Sequence, residues 1–263
     1  MPSQPHHQAA YLDGIAIPLR ISSAPTLAPG PSQILIKTAA VAINPVDWKM
    51  QDTGRALSAY PFILGRDLAG HVVAVGRDVE TLQPGARVLA QSLSLSTKKL
   101  EEGTFQEYVL ADVKSTASIS DAMSYEQACV LPLAVATSAS ALFSPTGLNL
   151  PLPEHGAQPR GTGAVLIWGG SSSVGCAGIQ LAVAAGCEVY TTCSKKNFGL
   201  VEALGARKVF DYRSPSVVGD IVAELQELTK VVGVFDGESK VLPPSSVLGN
   251  LVGGLPSHGN LFT

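Results

Sequence analysis

The stretch Ala164-Val-Leu-Ile-Trp-Gly-Gly-Ser-Ser-Ser-Val-Gly175 has the residue types that hold a diphosphate. Its five apolar residues, Ala164 to Trp168, read as a buried parallel strand. A Gly/Ser turn follows, and a helix of small residues opens at Val174. A strand–turn–helix of this kind leaves backbone N–H groups unpaired at the positive end of a helix, where a pyrophosphate sits. Gly170, Ser171, Ser172, Ser173, Val174 and Gly175 are the predicted cofactor contacts. The serines have two readings, as donors to a phosphate or as turn residues. The first is preferred, because their position in the turn is otherwise unexplained, although Ser173 stands where close phosphate approach favours Gly. A Gly175→Val change is expected to block the phosphate.

Gly170 and Gly175 also have the spacing of the phosphate loop of nucleotide hydrolases, but that loop needs a Lys and a Ser or Thr after its last Gly. Cys176 and Ala177 stand there, which argues against nucleotide hydrolysis. A dinucleotide site needs a second strand whose end meets the ribose, about 20 residues beyond the first Gly. Glu188 to Cys193 is that strand, and Ser194-Lys195-Lys196-Asn197 follows in place of an acidic residue. An acid there would bind the free 2′-hydroxyl of NADH, whereas hydroxyl and ammonium groups receive a 2′-phosphate. The expected cofactor is NADPH. Two cations at a helix start oppose its dipole, and an anionic ligand accounts for them better than solvent does.

The elements that position these residues repeat in step. Asn197 is placed to cap a helix ending at Leu204, with Gly205 as its stop. Lys208 to Tyr212 reads as a third strand. Ser214 and Pro215 open a helix with Val218, Ile221, Val222, Leu225 and Leu228 on one face. Val231 to Phe235 is a fourth strand ending at Asp236-Gly237. This alternation predicts an α/β, doubly wound parallel sheet.

The N-terminal half is different. Ile34 to Ile43, His71 to Gly76, Ala86 to Ala90 and Phe105 to Leu110 are β-prone runs punctuated by Gly and Pro, and predict a barrel-like β domain over 11–119. Ser124 to Leu142 reads as a helical segment capped by Ser124 and kinked at Pro132. Ser144 to Gly163 reads as an exposed loop.

Of the 263 residues, 46% are hydrophobic and 15% charged, with a net charge of −3, which gives no reason to expect nucleic acid or an anionic membrane as partner. No uninterrupted apolar run has the length of a bilayer span. Residues 1–8 lack a signal-peptide pattern. Cys129, Cys176, Cys187 and Cys193 have no metal-type spacing, and a reduced, cytoplasmic setting is the expectation.

Asn44-Pro-Val-Asp-Trp-Lys49, Leu64-Gly-Arg-Asp-Leu-Ala-Gly-His-Val72, Gly85-Ala-Arg-Val88, Gly103-Thr-Phe-Gln-Glu-Tyr108 and Gly169 to Gly175 occur in an order that resembles the zinc-free medium-chain dehydrogenase/reductases. Within that group of quinone and enoyl reductases, the likeness is strongest to fungal trans-acting enoyl reductases that work beside polyketide synthases. The resemblance implies a GroES-like catalytic domain at 10–122, a Rossmann NADPH-binding domain at 123–263, and an active site between them. It also implies hydride transfer from NADPH to the double bond of an α,β-unsaturated carbonyl or enoyl thioester. Zinc relatives resemble Gly-His-Glu at Gly65-Arg66-Asp67, and a guanidinium has no lone pair for a metal. No metal is expected.

The resemblance places Val46, Asp47, Trp48 and Lys49 beside the cofactor. Lys49 is the first candidate donor to an enolate oxygen or to the α-carbon; its other reading is a snorkelling surface lysine. Asp47 reads as a brace for the loop, and Trp48 and Trp168 as packing residues. Thr137 matches a family Thr near the nicotinamide, and Tyr212 one that packs by the adenine ribose and 2′-phosphate. The family continues beyond the position of Gly237 with further strands, whereas 238–263 offers one short element around Val247 to Val252, so Val231 to Phe235 is expected at the sheet edge. Two further readings stay open: a quinone or general alkenone reductase, and a truncated NADPH-binding protein with little or no activity.

Overall fold

The computed structural model describes residues 5–154, 161–237 and 261–262. The chain forms two compact units, Met1–Leu133 and Ala134–Thr263.

The first unit contains β1 (His6–Leu12), β2 (Arg20–Pro25), β3 (Gln33–Ala42), α1 (Pro45–Thr53), β4 (Phe62–Ile63), β5 (Asp67–Val75), β6 (Arg87–Gln91), α2 (Ser94–Thr97), β7 (Tyr108–Asp112), β8 (Thr116–Ser118) and α3 (Tyr125–Ala128). Its strands form two antiparallel sheets, β2-β1-β4 and β7-β3-β5-β6-β8. Alternate residues of the larger sheet, Ile34 and Ile36, Val88 and Ala90, Val109 and Ala111, turn inward into one core. A second core of Leu12, Met50, Phe62 and Leu64 anchors α1 through Met50.

β1, β2, β4 and β8 were not predicted from the sequence, and two of the predicted strands begin elsewhere. β5 begins at Asp67 rather than His71, because Gly70 lies inside the strand opposite Thr38 instead of ending it. β7 begins at Tyr108 rather than Phe105, because the Phe105 backbone bonds Leu64 and Ala10 outside that sheet.

The helical segment also differs. Ser124 caps α3, accepting from Gln127 N at 3.2 Å, but the helix breaks at Cys129–Leu131 and restarts as α4 (Pro132–Phe143). Pro132, which has no N–H, takes the first position of a new helix rather than kinking one. Tyr125–Phe143 has the length and hydropathy of a membrane span, yet it is two helices that bury Ala128 and Leu142 in protein cores.

The second unit continues with β9 (Gly163–Trp168), α5 (Ser173–Ala184), β10 (Cys187–Cys193), α6 (Phe198–Ala203), β11 (Ala206–Asp211), α7 (Val217–Gln226), β12 (Val231–Asp236) and β13 (Leu261–Phe262). The sheet order is β11-β10-β9-β12-β13, all parallel. Val165 and Ile167 pack on one face with Ile179 of α5 and Val201 of α6. Leu166 and Trp168 pack on the other with Ile221 and Leu225 of α7. Helices on both faces make the sheet doubly wound, and the order reverses between β9 and β12. β12 is not the edge expected from the sequence: Val234 pairs with Leu261 and Phe235 with Phe262. The element expected around Val247 to Val252 lies outside the described residues.

Candidate functional site

The turn between β9 and α5 lies at the carboxyl ends of the strands where the sheet order reverses, the position at which open α/β sheets bind ligands. β10 holds it from one side. Gly170 N donates to Thr192 O at 2.9 Å, and Gly169 N to Thr192 Oγ1 at 3.0 Å. β12 holds it from the other, through Gly237 N and Trp168 O at 2.9 Å.

Ser172 is the N-cap of α5. Its Oγ accepts from Gly175 N and donates to Gly237 O, each at 2.8 Å. That hydroxyl makes both of its bonds within the turn. Ser173 is exposed at the first helical position and does not crowd the turn. Gly175 is required for a reason the sequence did not give. A side chain there would overlap Gly169 O and stand 2.7 Å from Gly170 Cα, so it would break the turn itself before any phosphate arrived. At Gly170 it would strike Thr191 Oγ1, which is bonded to Ile167 O at 2.7 Å.

Among the described residues, the amides of Ser171, Ser173 and Val174 have no protein acceptor. Three free N–H groups at the start of a helix fit the diphosphate of a dinucleotide. Cys176 donates to Gly170 O at 3.4 Å, and burial pushes its thiol up, as befits a packing residue rather than a nucleophile.

Ser194, buried, follows β10, and Lys195–Asn197 form a 3₁₀ turn with both lysines exposed. Asn197 occupies the N-cap position of α6 but makes no side-chain cap bond, contrary to expectation. Lys195 lines a pocket of about 500 Å³ with Phe198, Phe210, Asp211, Arg213 and Asp220. Tyr212, just beyond β11, packs by its ring on the α7 core and accepts from Arg213 Nε at 3.2 Å. The sequence reading passed over Arg213, although it follows Tyr212 directly.

Thr137 is exposed on α4. Its neighbour Ser138 is fully buried and donates to Val174 O at 2.8 Å, tying α4 to the first turn of α5. Ser138, passed over in the sequence reading, thus braces the start of α5, and a small polar residue on an apolar helix was the available signal.

In the first unit, α1 carries the other candidates. Val46 packs against the Leu12–Met50–Phe62–Leu64 core. Asp47 is 2% exposed, and its Oδ2 accepts from Asn44 N at 2.8 Å, the brace expected of it. Trp48 is 45% exposed, which corrects the packing reading, whereas Trp168 is buried. Lys49 is half-buried with Nζ 5.8 Å from the centre of the Trp48 ring, a cation over an aromatic face. Around Asp47 lie two groups not predicted as functional, Arg66 and Asp67. Asp67 is 1% exposed, and burial raises its carboxyl from 3.8 to about 6 against the bonds from Asn44 and Leu133. Burial also raises Asp47 and lowers Arg66.

The alcohol dehydrogenase GroES-like domain family matches residues 30–121. The chain is 42% identical over 255 residues to dehydrogenase pigH of Monascus ruber, covering 95% of this chain and 69% of that protein. It is 43% identical over 223 residues to trans-enoyl reductase himH of Aspergillus japonicus, covering 84% and 64%. The chain therefore spans about two thirds of the length of these relatives. Among solved structures, a mycobacterial protein complexed with NADPH aligns with a TM-score of 0.63 and 25% identity, covering 87% of this chain and 66% of that one.

Proposed function

Because the chain belongs to the medium-chain dehydrogenase/reductase superfamily, we propose that it binds NADPH on the β9–α5 turn and reduces the carbon–carbon double bond of an α,β-unsaturated carbonyl or enoyl thioester. The observation that carries this reading is the set of unpartnered amides, Ser171, Ser173 and Val174, at the reversal point of the sheet. The name of himH supports the enoyl class, and the NADPH complex of the mycobacterial neighbour supports the cofactor.

NADPH supplies the hydride when bound. The chain's own part is to orient and to stabilise. The free amides hold the diphosphate, and Lys195 and Arg213 offer cations to a 2′-phosphate. Charge builds on the substrate carbonyl oxygen as the β-carbon is reduced, and the Lys49 ammonium is the donor for that oxygen or the proton source for the α-carbon. A polyketide synthase would present the enoyl group.

The test is NADPH oxidation by the purified chain with an enoyl thioester, a quinone or no acceptor, beside a direct NADPH titration. Turnover with the thioester above the quinone supports the reading. Faster quinone turnover moves the substrate to the quinone class. Binding without turnover removes the reductase and leaves a nucleotide-binding protein.

A further inference from the structure

Ser138 stands in α4 among Pro, Leu, Ala, Val and Phe, with Thr137 and Ser140 as the other polar residues of that helix. It is fully buried. A hydroxyl inside a helix ordinarily bonds a carbonyl of its own helix, and burying one without a partner costs free energy. Ser138 Oγ instead donates to Val174 O at 2.8 Å, in the first turn of α5 and 36 residues further along the chain.

The Val174 carbonyl shares its peptide plane with the Gly175 N–H. That N–H donates to Ser172 Oγ at 2.8 Å, and Ser172 Oγ donates to Gly237 O at 2.8 Å. The three donations run in one direction, from the Ser138 hydroxyl through the peptide plane and Ser172 to Gly237. Hydrogen bonds in series polarise one another, so the donor at the head of the row strengthens those that follow. The plane is thus gripped at both edges, its oxygen by α4 and its nitrogen by Ser172. Its other side is closely packed, since a Cβ on Gly237 would stand 3.1 Å from both Cα and N of Gly175. The neighbouring plane, Ser173–Val174, carries the free Val174 amide and meets the first at the Val174 Cα. Because peptide planes are rigid, holding one leaves only the two torsions at that Cα to set the direction of the other.

We propose that Ser138 is a positioning residue of the nucleotide site: it fixes the Val174–Gly175 peptide plane through its carbonyl and so aims the free amides of Ser173 and Val174 at the diphosphate of a dinucleotide. This rests on the reading of the β9–α5 turn as the cofactor site. Ser138 acts through Val174 rather than on the cofactor. Its effect is preorganisation, because amides already aimed lose less freedom on binding. The diphosphate is common to NADPH and NADH, so Ser138 governs the affinity for both alike, unlike groups that act on the 2′-phosphate.

The experiment compares the full chain with Ser138→Ala and Ser138→Thr. The amide signals of Val174 and Gly175 are followed by nitrogen–proton NMR without cofactor, and NADPH and NADH are titrated into each protein. Ser138→Ala is expected to move both amide signals and to raise the two dissociation constants by the same factor, about tenfold. Ser138→Thr keeps the hydroxyl and should restore signals and affinities. Should its added methyl prevent folding, Ser138→Cys, a weaker donor, should fall between Ser and Ala. A loss of stability with the amide signals and both affinities unmoved would make Ser138 a packing residue and overturn the inference. So would a loss of affinity confined to NADPH. A wild-type chain that binds neither coenzyme removes the cofactor reading instead, and the Gly175 signal in Ser138→Ala then judges the hold on the peptide plane by itself.

Discussion

The hydroxyl of Ser172 donates to the carbonyl of Gly237 at 2.8 Å while it accepts the amide of Gly175 at the same distance. One side chain thus caps α5 and fastens the turn after β9 to the residue that follows β12. These two strands flank the point where the sheet order reverses. Ser172→Ala would leave an N–H and a C=O without their partner and is expected to cost about 1–3 kcal/mol. Denaturant unfolding of the unliganded protein measures this. NADPH affinity should fall about tenfold as the turn loosens. A variant with unchanged stability and affinity would show that the latch carries no energy.

Gly175→Ala separates two accounts of the glycine. If the residue is small only so that a phosphate can approach, the unliganded protein keeps its stability. The structure puts the turn's own backbone in the path of a Cβ. The expected result is a loss of about 3 kcal/mol in unfolding free energy before any cofactor is added. NADPH binding then fails as a consequence. Unfolding of the first unit, followed at Trp48, should be spared.

The Asp67 carboxyl sets a pH dependence of unusual sign for an acid. Its ordinary value of 3.8 is raised to about 6 in the folded protein. Between these values the folded chain holds a proton that the unfolded chain has released, so this group stabilises the fold as pH falls through 6 toward 4 and destabilises it as pH rises. A raise of this size corresponds to about 3 kcal/mol between pH 4 and 7. Asp67→Asn removes that dependence. The stability of the variant relative to wild type should therefore improve on going from pH 4 to 7. A constant gap between the two profiles would contradict the assignment.

Much of the second unit was legible because its signals are local. The apolar run Ala164 to Trp168, the glycine turn and the small-residue helix each need only neighbouring residues to specify them, and β10, α7 and β12 follow at regular spacing. The pairing of β12 with β13 was not legible, because a two-residue strand from distant sequence leaves no periodic pattern. In the first unit the strand limits moved by up to four residues, since Gly70 reads as a break while its neighbours keep it in the ladder. The partners of Asp67 were hidden for a different reason, their distance along the chain. Asn44, Asp67 and Leu133 are 23 and 66 residues apart along the chain, and only the folded barrel brings them together. Ser172 and Gly237 are 65 residues apart and equally silent in sequence.

The preference for NADPH over NADH depends on a balance of charge in one pocket. Lys195 and Arg213 line it with Asp211 and Asp220, two cations against two carboxylates. The carboxylates are partly occupied elsewhere: Asp211 Oδ1 accepts from Arg213 N at 3.0 Å and Asp220 from Ser216 Oγ at 2.8 Å. A 2′-phosphate would draw on the cations and be opposed by whatever field the carboxylates retain. Lys195→Ala and Arg213→Ala should each weaken NADPH binding about tenfold with little change for NADH, an effect that shrinks as salt rises. Asp220→Asn should act in the opposite direction and tighten NADPH. Titrating each variant with both coenzymes at two ionic strengths gives the ratio directly. If Asp220→Asn weakened NADPH as the cation variants do, the pocket would be a structural feature of β11 and α7 rather than the place where the phosphate is read.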